Sequence, residues 1–332
     1  MKKFLKWTAY IVIVVIVVVV AGVSYIMLAL PNVGKPEDIK VELTPARIAH
    51  GKYLATSVSS CMDCHSPRDW TKFGGPNDTT LYGTGGEHFD KSVGFPGDVI
   101  VPNITPYKLK DWTDGELFRT ITTGQRKNGT AIFPLMPWPY YSKMDREDIY
   151  DIIAYIRTLK PKVTNYPKSS LDFPLNIIVH TMPEKATLGT RPDPKDTLKY
   201  GEYMVQSAAC KQCHSQDHQG SVIAGLEFAG GHEFTVNGNT LLSANITPDK
   251  ATGIGTWTQK DFIARFRVFK DESKATHVGA TDFQTVMPWW EYSRMSDGDL
   301  KAIYAYLHTI KPISNKVEKF TVNSSAAPES SK

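Results

Sequence analysis

The sequence predicts an all-α protein: one N-terminal membrane-spanning helix followed by two tandem helical domains. Three observations predict it. Trp7 to Leu30 carries no charged residue, the stretch from Gly51 to Pro312 repeats itself once, and each copy holds capped amphipathic patterns at matching places. The expected order is an anchor over residues 1–30, a linker over 31–44, a first domain over 45–165, an interdomain linker over 166–195, a second domain over 196–315 and a flexible tail over 316–332. An apolar content of 41% with 22% charged residues excludes a disordered or collagen-like chain. Against 34 Asp and Glu stand 38 Lys and Arg, and a net charge of +4 is too small and scattered to imply a nucleic-acid partner.

The anchor comes first. As a helix, the uncharged run from Trp7 to Leu30 would cover about 36 Å, more than the roughly 30 Å hydrocarbon core of a bilayer. A cleaved leader would show a shorter apolar region and a small-x-small site, so the reading is a retained anchor. Lys2, Lys3 and Lys6 precede it and place the N-terminus in the cytoplasm. Everything after Leu30 is then exported, which for a bacterial inner membrane means the periplasm.

The duplication fixes the rest of the architecture. Gly51-Lys52-Tyr53 answers Gly201-Glu202-Tyr203, and a Cys-x-x-Cys-His follows each. Gly85-Gly86 with Phe89 matches Gly230-Gly231 with Phe234, and Asn103-Ile104-Thr105-Pro106 matches Asn245-Ile246-Thr247-Pro248. Trp112-Thr113 meets Trp257-Thr258, and Met136-Pro137-Trp138 meets Met287-Pro288-Trp289. Ala154-Tyr155 and Lys160-Pro161 meet Ala305-Tyr306 and Lys311-Pro312.

Each copy predicts three helices. One precedes the cysteines, and its Gly51 or Gly201 leaves room for a close approach by the last helix of the unit. A second starts at Thr113 or Thr258 with an acid three residues on, a capping box. The last begins at Asp145 or Ser296, with Asp148 or Asp299 as the N3 acid and with staples Met144/Ile149 and Met295/Leu300. Glycine-rich loops fill the space between cysteines and methionine, and no sizeable sheet is expected.

Cys61, Cys64 and His65 form one Cys-x-x-Cys-His, and Cys210, Cys213 and His214 the other. Residues three apart on a helical turn face the same side. Two thiols can therefore add to the two vinyl groups of one porphyrin while the adjoining histidine reaches the iron. A zinc ribbon, a thioredoxin-type redox pair and two plain disulfides compete, but each leaves the two histidines idle. Two covalently bound haem c groups are the preferred cofactors.

A sixth iron ligand is sought in each unit. Met144 and Met295 already have a place in the helix staple, whereas Met136 and Met287 stand before a proline that removes a backbone N–H from an apolar crevice. Met136 and Met287 are therefore the preferred ligands. Trp112 and Trp257 are candidates for a propionate contact, with plain packing as the commoner role for such residues. Trp138, Tyr140, Tyr141, Trp289, Trp290 and Tyr292 are expected to wall the crevices. The non-motif histidines are expected to be structural or surface groups.

These residues resemble the class I c-type cytochromes, and among them the membrane-bound cytochrome subunits of alcohol, gluconate and nicotinate dehydrogenases. The resemblance spans roughly His50 to Pro312 and rests on Gly51-Lys52-Tyr53-Leu54, Cys64-His65-Ser66-Pro67-Arg68, Asn245-Ile246-Thr247-Pro248, Gly253-Ile254-Gly255 before Trp257, and the Met-Pro-Trp pairs. It also reaches Asp172-Phe173-Pro174-Leu175-Asn176. It implies one haem on Cys61, Cys64, His65 and Met136 and another on Cys210, Cys213, His214 and Met287, in two tandem class I cytochrome c domains. Those subunits often carry three haems, whereas two triplets are present here.

The function expected is an electron relay without catalysis of its own, between a dehydrogenase or quinol-oxidising complex and a downstream cytochrome or terminal oxidase. The alternative is a di-haem peroxidase-type oxidoreductase, which needs one iron with an open sixth position.

Overall fold

The computed structural model describes residues 1–323. Helix α1, Lys2–Ala29, runs 28 residues and buries none of them against the protein. It is long and apolar enough to cross a membrane. The segment expected as a linker, residues 31–44, lies along the first unit. There Val41 is buried and its N–H donates to Asp114 at 2.8 Å, the Gly34 carbonyl accepts from Arg119, and Glu37 pairs with Arg146 at 2.7 Å.

Unit 1 contains α2 (Pro45–Tyr53), α3 (Cys61–Cys64), α4 (Pro106–Leu109), α5 (Asp114–Thr123), α6 (Trp138–Tyr141) and α7 (Arg146–Arg157). The short helix α8 (Leu175–Ile178) follows. Unit 2 contains α9 (Thr197–Ser207), α10 (Cys210–Cys213), α11 (Gln259–Arg267), α12 (Trp289–Tyr292) and α13 (Asp297–Leu307). A π-helical turn over Leu54–Val58 joins α2 to the cysteine turn, whereas α9 runs on to Ser207 with no such turn.

The first and last long helices of each unit pack together, α2 on α7 and α9 on α13. Glycine makes both crossings feasible. A Cβ on Gly51 would lie 1.6 Å from the Asp151 carbonyl oxygen, and one on Gly201 would lie 2.0 Å from that of Ala302. Both expected capping boxes, Thr113 with Glu116 and Thr258 with Asp261, are formed. Asp145 and Ser296 cap α7 and α13, and Met144, Ile149, Met295 and Leu300 are buried beneath them.

Of the two expected N3 acids, Asp299 keeps its place through its N–H, which donates to the Ser296 hydroxyl at 3.0 Å, while Asp148 takes no part because Asp145 caps Glu147 instead, and neither carboxylate closes its own capping box. Asp148 accepts from the Tyr203 hydroxyl of unit 2, and Asp299 from the Tyr53 hydroxyl of unit 1. The same two hydroxyls accept the N–H groups of Asp145 and Ser296, at 3.1 and 2.9 Å. The two units thus exchange one contact in both directions, as related surfaces do about a two-fold axis. One continuous apolar cluster runs through both units, from Val41 to Leu307.

The all-α expectation is also corrected, because small sheets are present. Strands β1 (His88–Phe89), β2 (Gly97–Ile100) and β3 (Ser170–Leu171) pair in that order. A hairpin joins β4 (Asp217–His218) to β5 (Ser221–Val222), and β6 (Glu233–Val236), β7 (Asn239–Leu242) and β8 (Phe320–Thr321) form the counterpart sheet in unit 2. Glycine-rich loops carry backbone N–H and C=O groups that need partners, and short antiparallel ladders supply them. The third strand of each sheet comes from beyond the last helix of its unit. Residues 170–171 of the expected interdomain linker and 320–321 of the expected tail are therefore paired backbone. The remainder of that tail, from 324 onward, lies outside the described residues.

Candidate functional site

Each Cys-x-x-Cys occupies one helical turn, entered through a residue in the left-handed region: Ser60 at φ 48° and Ala209 at φ 50°. Neither is glycine, so each entry is held by its surroundings. In both units a buried tyrosine hydroxyl from the helix after Met-Pro-Trp does the holding. Tyr141 donates to the Ser59 carbonyl at 2.8 Å and Tyr292 to that of Ala208 at 2.9 Å. The same bond ties α6 or α12, and with it Met136 or Met287, to the cysteine turn. Both methionines are partly buried against the apolar cluster. Met144 is fully buried in that cluster, with the Ser59 hydroxyl on its sulfur, and Met295 is buried likewise.

The histidines are oriented by a backbone clamp. His65 Nδ1–H donates to the Pro102 carbonyl at 2.9 Å, and His214 Nδ1–H to the Ala244 carbonyl at 2.8 Å. A carbonyl can only accept, so Nδ1 carries the proton and Nε2 keeps its lone pair. Burial holds both imidazoles below the usual histidine range, in the neutral form that binds metal.

The glycine pairs complete the clamp. Gly85 and Gly230 donate to the carbonyls of His65 and His214, while Gly86 and Gly231 donate to those of Val101 and Ser243. Gly85 has φ +70°, and a Cβ there would sit 2.3 Å from the Val101 carbonyl oxygen. Asn103 and Asn245 secure the next turn. Their Oδ1 atoms accept from Thr105 and Thr247, and their Nδ2 groups donate to the carbonyls of Lys162 and Ile313 beyond the last helices.

Burial pushes the thiols up as well, Cys61 and Cys210 to about 12 and Cys213 to about 11. Cys64 is raised further, by burial and by the Asp63 charge. Such thiols stay neutral, unlike the activated thiolate of a redox pair. All four are free of disulfides.

The expected wall residues Trp138, Tyr141, Trp290 and Tyr292 are buried. The Trp138 indole N–H donates to Ile132, and that of Trp290 crosses to the Phe73 carbonyl of unit 1. Trp112 and Trp257 sit just before α5 and α11, where their carbonyls accept from Arg157 and Tyr304. His50 lies beside Asp148 and Asp151, but Arg191 and Arg47 already neutralise those carboxylates.

Sequence reasoning missed one buried cluster. The Asp63 and Glu291 carboxyls meet across the units, near Arg68 and Arg294, with Arg68 Nη1 3.1 Å from Asp63. Burial, then the Asp63 charge, pushes the Glu291 carboxyl up to about 8, and burial raises that of Asp63 as well. The repeat could not reveal this cluster, because the matching positions hold Gln212 and Tyr140.

The chain is 24% identical over 302 residues to the cytochrome c subunit of a quinone-dependent alcohol dehydrogenase of Gluconacetobacter polyoxogenes, covering 85% of this chain and 60% of that one. It is 26% identical over 292 residues to the cytochrome subunit of a fructose dehydrogenase of Gluconobacter japonicus, covering 81% and 54%. It is a relative of dehydrogenase cytochrome c subunits. A diheme c-type cytochrome of Cereibacter sphaeroides is also similar, at 24% over 304 residues, covering 89% of this chain and 95% of that one. The chain spans 54 to 60% of the length of the alcohol and fructose dehydrogenase subunits. No protein-family model matches it.

Cytochrome c relatives imply covalently bound haem c, and the residues fit such a group. Each unit pairs two neutral thiols on one helical turn with an imidazole whose Nε2 is free and whose Nδ1 bond is of the kind that orients a metal-bound histidine.

Proposed function

We propose that the chain is a membrane-anchored di-haem c-type cytochrome that relays single electrons. The observation that carries the reading is the clamp built twice: Nδ1 of His65 and of His214 tied to a backbone carbonyl, each beside its own thiol pair. In this reading Cys61, Cys64, His65 and Met136 hold one haem and Cys210, Cys213, His214 and Met287 the other. Bound haem would supply one-electron iron chemistry, and thioether ligands from Met136 and Met287 would favour a higher potential than a further imidazole in their place.

The protein's own part is to hold and to exclude. The Gly-Gly clamp fixes the imidazole planes, Tyr141 and Tyr292 lock the cysteine turns, and the buried aromatics keep water out. The reciprocal bonds Tyr53–Asp299 and Tyr203–Asp148 hold the two sites in one fixed relation, which an internal electron transfer needs.

The two units are taken as tandem class I cytochrome c domains on the periplasmic side of a bacterial inner membrane, with α1 as the span and the N-terminus cytoplasmic. Donor and acceptor are a dehydrogenase or quinol-oxidising complex and a downstream cytochrome or terminal oxidase. The names of the relatives support the dehydrogenase side.

The test is the purified full chain. Its mass should exceed that of the polypeptide by two haems, its denatured band should stain for peroxidase activity, and its reduced spectrum should show two low-spin sites that ignore carbon monoxide. A colourless denatured chain overturns the haem reading. Carbon monoxide binding at one haem overturns the pure relay in favour of the peroxidase-type alternative.

A further inference from the structure

The connector between the units holds an uncharged stretch, residues 173–183, Phe-Pro-Leu-Asn-Ile-Ile-Val-His-Thr-Met-Pro. It folds as α8 followed by a 3₁₀ turn over Val179–Thr181. Phe173 is 79% exposed and Ile178 45%, a poor place for large apolar groups if water is their only neighbour. The one acid at the base of this tip, Asp172, is met by Lys91 at 3.3 Å.

The tip sits beside the anchor. Both α8 and the turn after it pack against α1. His180 Nδ1–H donates to the Leu30 carbonyl, the cap of α1, at 3.2 Å. The chain leaving α1 is in turn fixed to unit 1, where Gln125 donates to the Pro31 carbonyl at 2.6 Å and Arg119 to that of Gly34 at 3.2 Å. A span of about 36 Å across a core of roughly 30 Å brings the last turn of α1 to headgroup depth. Whatever packs against that end meets the same layer.

We propose that Phe173–Ile178 is a second membrane contact, a tip that enters the lipid interface beside α1 and sets unit 1 at one orientation on the bilayer. The proposal rests on α1 spanning the membrane. The occupant is lipid rather than a protein partner because the patch is continuous with the lipid-facing helix and carries no charge between Asp172 and Glu184.

The experiment uses the full chain in nanodiscs of phosphatidylethanolamine and phosphatidylglycerol. Nitroxide labels at Phe173→Cys and Ile178→Cys should collide more with oxygen than with a water-soluble nickel chelate, as a label at Leu28→Cys should. A label at Val163→Cys, 74% exposed on unit 1, should show the reverse. Nickel access at 173 and 178 equal to that at 163 overturns the tip while leaving the anchor intact. Nickel access at 28 as well overturns the anchor and the tip together. A photoreactive benzoylphenylalanine at 173 gives a reading that needs no thiol: illumination should add phospholipid mass to the chain, and its absence, with capture at 28, counts against the tip.

Discussion

Where the Cys61 turn meets unit 2, two buried carboxyls meet the buried guanidinium of Arg68 and the part-exposed one of Arg294. Where the Cys210 turn meets unit 1, the equivalent positions hold Gln212, whose amide donates to the Pro134 carbonyl at 2.9 Å, and Tyr140. Around the histidines the two units are alike, bond for bond. They differ in the shell that faces the partner unit, where burial raises the Asp63 and Glu291 carboxyls beside the first cysteine turn. The difference teaches that duplication preserved the parts that orient the ligand and left free the parts that set its electrostatic surroundings.

The largest test of the comparison removes one attachment at a time. Cys61→Ala with Cys64→Ala and Cys210→Ala with Cys213→Ala should each leave a chain carrying one covalent haem, read by mass and by haem-stained gel. A pair of variants in which one loses both groups would show that the units mature as a single site.

Next in size are the helix crossings. Gly51→Ala puts a methyl 1.6 Å from the Asp151 oxygen, and Gly201→Ala puts one 2.0 Å from that of Ala302. Helix backbones cannot yield by that much without parting, so each should cost roughly 3 kcal/mol or more, beyond the usual overpacking range. Gly51→Ala should cost the more. Urea denaturation of both variants checks the order.

These glycines show what the sequence makes legible. A residue whose role lies in its own backbone, such as Gly51, Thr113 or a cysteine one turn from another, leaves a local mark that repeats. The Asp63–Glu291 pair leaves none, because its two members lie far apart in the chain and each has a different counterpart in the other copy. Asp148 and Asp299 were visible as N3 acids, but position on a helix does not say which donor a carboxylate will choose. Tertiary tyrosines won. The small sheets were hidden for a similar reason, since two-residue strands carry no periodicity.

The carboxyl pair makes a pH-dependent prediction. Glu291 is raised in the folded chain to about 8, from an unfolded value near 4.3. The neutral acid is the form the fold prefers. Its contribution is therefore fully present below the unfolded value and is lost as pH rises toward 8. Glu291→Gln stays neutral throughout, so its stability relative to the unsubstituted chain should climb between about pH 5 and pH 8, by on the order of 3 kcal/mol. A constant difference across that range would show that the carboxyl is ionised and paired with Arg294. The corresponding position in unit 1, Tyr140→Phe, should show no such slope.

The smallest effect tests the reciprocal tyrosines. Asp148 keeps Arg191 at 2.6 Å if the Tyr203 hydroxyl is lost, whereas Asp299 keeps only the Tyr200 hydroxyl at 2.9 Å if that of Tyr53 is lost. A buried carboxylate with a cationic partner tolerates the loss of a neutral donor better than one without. Tyr203→Phe should therefore cost about 1 kcal/mol and Tyr53→Phe about 2 kcal/mol in urea denaturation. Adding Arg191→Ala to Tyr203→Phe should remove its advantage and bring the loss to that of Tyr53→Phe or beyond. Neither tyrosine belongs to the clamps around His65 and His214, so the haem spectra of the single variants should match those of the unsubstituted chain. Equal costs for the two single variants would mean that Arg191 is spent on solvent-screened attraction, and that the exchange between the units is as symmetric in energy as it is in geometry.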